Sequence, residues 1–228
     1  MINHFKYLLL IIFSSFSFAT TIHVATTGSD DAGDGTEANP YATIQKGINN
    51  LSSGDTIIVY NGHYNGAINI NTGDIVIKSQ NGNQHTSLNT VIYLGNYDAL
   101  IEGFEISLDT YLSTDSNNGV HIDSGFLKFN DCNFSHFEAD PGRFMFDNDY
   151  GNLIFNNVSM DSLTHSSDDF LNNVGYTKFV NSILNNSLGG LWAPTSYGEI
   201  IFSNSFLSDD FFYNDCLIDS AFNSTILK

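Results

Sequence analysis

The sequence predicts an all-β solenoid in which very short strands stack coil upon coil. Three observations predict it. A six-residue pattern recurs along the chain: an apolar residue, any residue, a small or amide residue, any two residues, then another apolar one. A second apolar pair precedes most copies by seven to ten residues, with the period-2 spacing of a strand. No helical period survives between them. Repeats of this kind cannot bury their apolar side alone, so each must stack on the last.

The pattern starts at Val59-Tyr60-Asn61-Gly62-His63-Tyr64, Ile77-Lys78-Ser79 and Ile101-Glu102-Gly103-Phe104-Glu105-Ile106. Clearer copies follow, led by Phe129, Phe155, Phe179 and Phe202, and the last is led by Ala221. Intervals between the leads are 18, 24, 28, 26, 24, 23 and 19 residues. The preceding pairs are Ile68/Ile70, Ile92/Leu94, Val120/Ile122, Phe144/Phe146, Phe170/Asn172, Leu191/Ala193 and Phe211/Tyr213. Each repeat therefore holds three short strands. The third motif position carries Asp131, Asn157, Asn181, Asn204 and Asn223. An amide there can bond its counterpart one coil on, and it tolerates the left-handed backbone of a sharp corner. Cys132 and Cys216 fall three to four coils apart, about 15 Å at the interstrand spacing, which is beyond disulfide reach. Both are expected to be packing thiols.

Charge narrows the partners. Seven Lys+Arg against 25 Asp+Glu, 20 of them Asp, give a net charge of −18. That balance excludes a basic surface for nucleic acid and disfavours an anionic membrane. Twenty-eight Asn and 19 Gly match a chain of many corners. Residues 1–19 read as a signal peptide, with Lys6 before the apolar run Tyr7 to Phe13 and Ser17-Phe18-Ala19 at the cleavage point. No membrane span is expected after its removal. Residues 20–228 are then one domain, with a cap over 20–54 and coils over 55–228. Ile226-Leu227-Lys228 ends inside the eighth coil. The expectation is a fragment of a longer β-helix, with self-association through an uncapped last coil as the alternative.

The opening carries a resemblance. His23-Val24-Ala25-Thr26-Thr27-Gly28-Ser29-Asp30, Asn39-Pro40-Tyr41-Ala42-Thr43-Ile44-Gln45-Lys46-Gly47-Ile48, Ser53-Gly54-Asp55-Thr56-Ile57-Ile58-Val59 and Gly62-His63-Tyr64 are the residues concerned. They resemble the start of right-handed parallel β-helix proteins of the pectate-lyase-like superfamily. The resemblance implies a single-stranded right-handed parallel β-helix with an N-terminal capping strand and a short helix, here Tyr41 to Leu51. Asp30, Asp34 and Gly35 echo a calcium loop, but Ala32 and Tyr41 stand where ligands belong, so a turn is expected.

The resemblance also implies where chemistry sits: on the outer face of the first sheet, on a uronate-containing polysaccharide. Lyases of that kind use Ca²⁺ and a Lys or Arg base, and Arg143 is the cation at that edge. Its other reading is an ion pair with Asp140. The outward row is expected to be Asn69, Tyr93, His121, Met145, Leu171, Trp192 and Phe212, with His121 and Trp192 as sugar contacts. Asp123, Asp147, Asp149 and the pair Asp168-Asp169 fall at strand ends. Asp123, Asp147, Asp168 and Asp169 are the candidate Ca²⁺ ligands, against the alternative of solvated turn carboxylates. The loop 107–118 is a candidate binding loop. Two functions remain: an extracellular polysaccharide-acting protein, of lyase type if catalytic, or a non-catalytic surface or adhesin-type β-helix binding glycans or proteins.

Overall fold

A computed structural model describes residues 19–109, 119–138, 144–161, 164–185, 188–191, 198–207, 220–222 and 224–226. Residues 1–18 of the signal segment, the segment 110–118 and Arg143, Trp192, Phe212 and Cys216 lie outside these residues, as does Asn223.

Among the described residues every strand pairing in the named sheets is parallel, and each strand pairs with its counterpart one coil on. A 13-stranded sheet wraps two faces of the solenoid and an 8-stranded sheet forms the third. The two faces of the larger sheet are continuous because Ile92–Glu102 and Val120–Asn130 run through the corner without a break. In Val120–Asn130 the inward residues are Val120 and Ile122, then Leu127 and Phe129. The alternation changes phase across Ser124-Gly125-Phe126, where Gly125 adopts φ +111° and turns the strand.

The lead residues form the spine of the core. Ile57, Ile77, Ile101, Phe129, Phe155, Phe179 and Phe202 are all fully buried. The rings of Phe129, Phe155, Phe179 and Phe202 stack at 5.6, 4.7 and 4.9 Å with interplanar angles of 10° or less. In the first coil the lead is Ile57, which pairs with Ile77; Val59 pairs with Ser79. Both isoleucine and valine point inward there, so the apolar pattern alone admits a slip of two residues.

In the coils led by Phe129, Phe155, Phe179 and Phe202 the corner from the second face to the third turns at a left-handed residue: Asp131, Asn157, Asn181 and Asn204 have φ between 50° and 54°. The expected ladder is present at two of its steps. Asn157 Nδ2 donates to Asp131 Oδ1 at 2.6 Å, and Asn204 Nδ2 to Asn181 Oδ1 at 3.3 Å. Cys132 is buried with a free thiol directed at the carbonyls of Asn130 and Ile101. Burial pushes its pKa up to about 12, which suits a packing residue.

The N-terminal end is closed by the strand Thr21–Val24, paired with Thr56–Val59, and by a helix over Ile44–Ile48 that begins at the cap residue Thr43. This helix is shorter than the expected Tyr41–Leu51, yet it buries Ile44, Gly47 and Ile48 as its pattern requires. Gln45 covers the open edge of the first sheet. Its Oε1 accepts from Asn69 N at 2.7 Å and its Nε2 donates to Asn69 O at 3.2 Å, replacing a missing strand. Asp30 accepts from Ala42 N, Thr43 N and the Thr43 hydroxyl, so this carboxylate serves the turn.

Two stability outcomes follow. Phe155→Ala removes the middle of the ring stack and should cost about 3–5 kcal/mol in chemical denaturation. Asn157→Ala should cost about 1–2 kcal/mol, because alanine resists the left-handed region, and Asn157→Gly should cost less than Asn157→Ala. Equal losses for the two variants would assign the corner to the ladder bond alone.

Candidate functional site

The outer face of the first sheet carries a row fixed by register: Asn69 pairs with Tyr93, Tyr93 with His121, His121 with Asp147, and Asp147 with Asn172. This corrects the expected row at two coils. Met145 and Leu171 are buried, and the inward pairs are Phe146/Asn148 and Leu171/Asn173, in place of Phe144/Phe146 and Phe170/Asn172. The physical reason lies in the core. Asn148 and Asn173 are fully buried amides, where an apolar pattern expects hydrocarbon. They are satisfied as a ladder: Asn148 Nδ2 donates to Asn173 Oδ1 at 2.8 Å, Asn148 Oδ1 accepts from Gly151 N at 2.9 Å, and Thr177 Oγ1 donates to Asn173 Oδ1 at 2.7 Å.

His121 is the centre of the outward row. Its Nδ1 lies 3.0 Å from Asp147 Oδ2 and its Nε2 lies 2.9 Å from Asp123 Oδ1. Asp147 belongs to the next coil, whereas Asp123 lies two residues on along the same strand and so faces the same way. The hydrogen bond to Asp147, opposed by burial and helped by Asp123, lifts the His121 pKa to about 9. The ring is therefore an imidazolium at neutral pH, with both nitrogens donating. Tyr93 stacks on it from the preceding coil at 5.3 Å and 9°, and the Tyr93 hydroxyl donates to Asp123 Oδ2. Asn172 Nδ2 donates to Asp147 Oδ1 at 2.7 Å.

The carboxyl groups here are pushed in opposite directions. Hydrogen bonds from Tyr93 and His121 outweigh desolvation and hold Asp123 below the ordinary carboxylate range. Asp149 is raised, first by burial and then by the nearby Asp147 charge. Asp149 is positioned by its backbone, whose N–H donates to Ile122 O at 3.0 Å. A donor atom each of His121, Asp123 and Asp149 lies within 4.8 Å of the others. Asp123 is the accessible member, with 42% of its side chain exposed.

The structure thus brings together His121, Asp123 and Asp147 from the expected residues. Asp168 and Asp169 lie on the strand Thr164–Asn173, and their side chains fall outside the described residues, as do Arg143 and Trp192 entirely. Of the expected Ca²⁺ ligands, the described pair Asp123 and Asp147 serves the histidine in this arrangement: every oxygen of the two accepts a hydrogen bond, and the imidazolium stands between them. Two functional candidates escaped the expected roles: Asp149, grouped with the acids without a task, and Tyr93, placed in the row without a task. Their signal is the tertiary pairing with Asp123.

No family model matches the sequence, and no curated protein matches it. Solved structures do. Pectin methylesterase PemA from Erwinia chrysanthemi is 14% identical with a TM-score of 0.51, over 84% of this chain and 80% of that one. A pectin methylesterase mutant in complex with a hexasaccharide is 15% identical, over 83% and 79%, with a TM-score of 0.49. A rhamnogalacturonan lyase is 12% identical, over 85% and 75%, also at 0.49. The likeness to PemA shows the fold: this chain is a right-handed parallel β-helix, as its opening residues imply.

The His121 charge has a consequence for stability. A folded-state pKa of about 9 against an ordinary 6.5 means the bound proton stabilises the fold fully below pH 6.5, and that this contribution is lost as pH rises through 9. The unfolding midpoint should fall between pH 6.5 and 9, and His121→Gln should flatten that slope. A slope unchanged by His121→Gln would contradict the assignment.

Proposed function

We propose that this chain is an exported polysaccharide-acting enzyme that cleaves glycosidic bonds on the outer face of its first sheet. The observation that carries the reading is the Asp123–Asp149 pair: two adjacent carboxyl groups with acidities pushed apart. Environments that separate two carboxyl groups in this way assign an acid and a base. Asp149, held toward its protonated form, donates its proton to the glycosidic oxygen as the bond to C1 breaks. Asp123, ionised and exposed, attacks C1 and forms a glycosyl ester. Water then cleaves the ester while Asp149 takes the proton back, which balances the cycle.

The proximity of the pair supports this reading: an oxygen of Asp123 and one of Asp149 lie within 4.8 Å of each other. Retaining glycosidases hold their carboxyl groups about 5–5.5 Å apart, and inverting ones about 6.5–9.5 Å. Tyr93 and His121 keep Asp123 ionised and oriented, and Asn172 holds Asp147. Export is supported by the polar start, apolar run and small residues of 1–19. β-Elimination would need a base, and Arg143, the expected one, lies outside the described residues.

Reducing-end release from a polysaccharide panel, followed by NMR of the new anomeric centre, tests the reading. Asp149→Asn and Asp123→Asn should each lower turnover by about 10²–10⁴-fold, and the product should retain configuration. An inverted product would contradict the roles given. Ultraviolet absorbance of 4,5-unsaturated uronate would assign elimination instead, and glycan binding without cleavage would assign an adhesin-type protein.

A further inference from the structure

Three large apolar side chains are exposed among the described residues: Tyr97 at 40%, Tyr150 at 76% and Ile183 at 46%. A single exposed tyrosine needs no function. Two of these, however, sit on the corner where the first face ends, beside the acid pair. Tyr97 pairs with Gly125, two residues past Asp123. Tyr150 follows Asp149, and its N–H donates to Asp123 O at 3.0 Å. They stand two coils apart, about 10 Å along the axis.

Two glycines make room for the Tyr97 ring. A Cβ placed on Gly73 would come within 3.3 Å of its Cδ1, and one on Gly95 within 3.6 Å of its Cδ2 and Cε2, so a side chain at either position would crowd the ring. Tyr97 itself stays 40% exposed. Between the two tyrosines stands Gly125, where a Cβ would lie 2.2 Å from Tyr97 O, so no side chain rises at that position. Beside it the Ser124 hydroxyl donates to Asn96 Oδ1 at 2.5 Å, placing polar groups on the same rim.

We propose that Tyr97, flanked by Tyr150, is the floor of a subsite that stacks a neutral pyranose ring next to the Asp123–Asp149 pair. The proposal rests on reading that pair as polysaccharide-acting, and it adds the substrate class. An exposed aromatic ring stacks on the apolar C–H face of a sugar, and neighbouring carboxylates and amides accept its hydroxyl hydrogens. Charge selects against uronates. The corner segments 95–98, 123–126 and 149–151 hold Asp98, Asp123 and Asp149 and no Lys or Arg, in a chain of net charge −18, and the one imidazolium beside them, His121, is already paired with Asp123 and Asp147. A second copy of the chain would bring the same excess acid to the contact.

Calorimetric titration of the full chain carrying Asp149→Asn tests this, because binding is then read without turnover. The probes are cellohexaose, xylohexaose, mannohexaose and hexagalacturonate. The expected result is that a neutral hexasaccharide binds at least tenfold tighter than hexagalacturonate. Tyr97→Ala should weaken it at least tenfold at an unchanged unfolding midpoint, and Tyr97→Phe should retain it. Tighter binding of hexagalacturonate, an affinity indifferent to Tyr97→Ala, or no binding of any probe would overturn the proposal. So would concentration-dependent dimerisation that Tyr97→Ala abolishes. Tyr97-dependent neutral binding in a chain whose wild type cleaves nothing would instead sink the hydrolase reading and leave the subsite standing.

Discussion

A coil of a β-helix can meet its neighbour only in registers that keep its apolar side inward. A slip of one residue would turn every core side chain outward. A slip of two keeps the faces but changes which residue stands above which. Everything specific in this molecule depends on that second choice. Stacking of Phe129, Phe155, Phe179 and Phe202, the corner amides and the outward row are all consequences of one set of coil-on-coil pairings. The aromatic stack and the left-handed corners agree on it, and such agreement between independent features is what makes a sequence select one fold.

The core of the later coils was legible because its signals are chemically distinct. A phenylalanine at each lead, followed two residues later by Asp or Asn, admits one alignment only. The first coil was not legible to the residue, since Ile57 and Val59 both point inward and either satisfies the pattern. The first-sheet strands that precede Phe155 and Phe179 misled for the opposite reason. There the inward partners are Asn148 and Asn173, and a search for apolar pairs steps past a buried amide ladder. That same slip put Met145 and Leu171 on the outside and left Asp147 without its place against His121.

The candidate site was therefore half legible. His121, Asp123 and Asp147 are recognisable as chemistry-bearing residues at strand ends, but their relation is not. Asp147 comes within reach of His121 only through pairing across 26 residues. The choice between a calcium site and an ion-paired histidine likewise depends on distances. In a chain so poor in Lys and Arg, an imidazolium held between two aspartates supplies the positive charge that a metal or a basic side chain would bring elsewhere. Around it the acids are pushed apart: hydrogen bonds from Tyr93 and then His121 hold Asp123 low, while burial and the Asp147 charge raise Asp149.

The central claim is thus that register places His121 between Asp123 and Asp147. Titration of the His121 ring by NMR, assigned through His121→Gln, tests it most directly. The account predicts a pKa near 9, with both ring nitrogens protonated throughout the neutral range. A pKa near the ordinary histidine value, or a single neutral tautomer at pH 7, would contradict it. Either result would mean that the coil carrying Asp147 does not stand above His121.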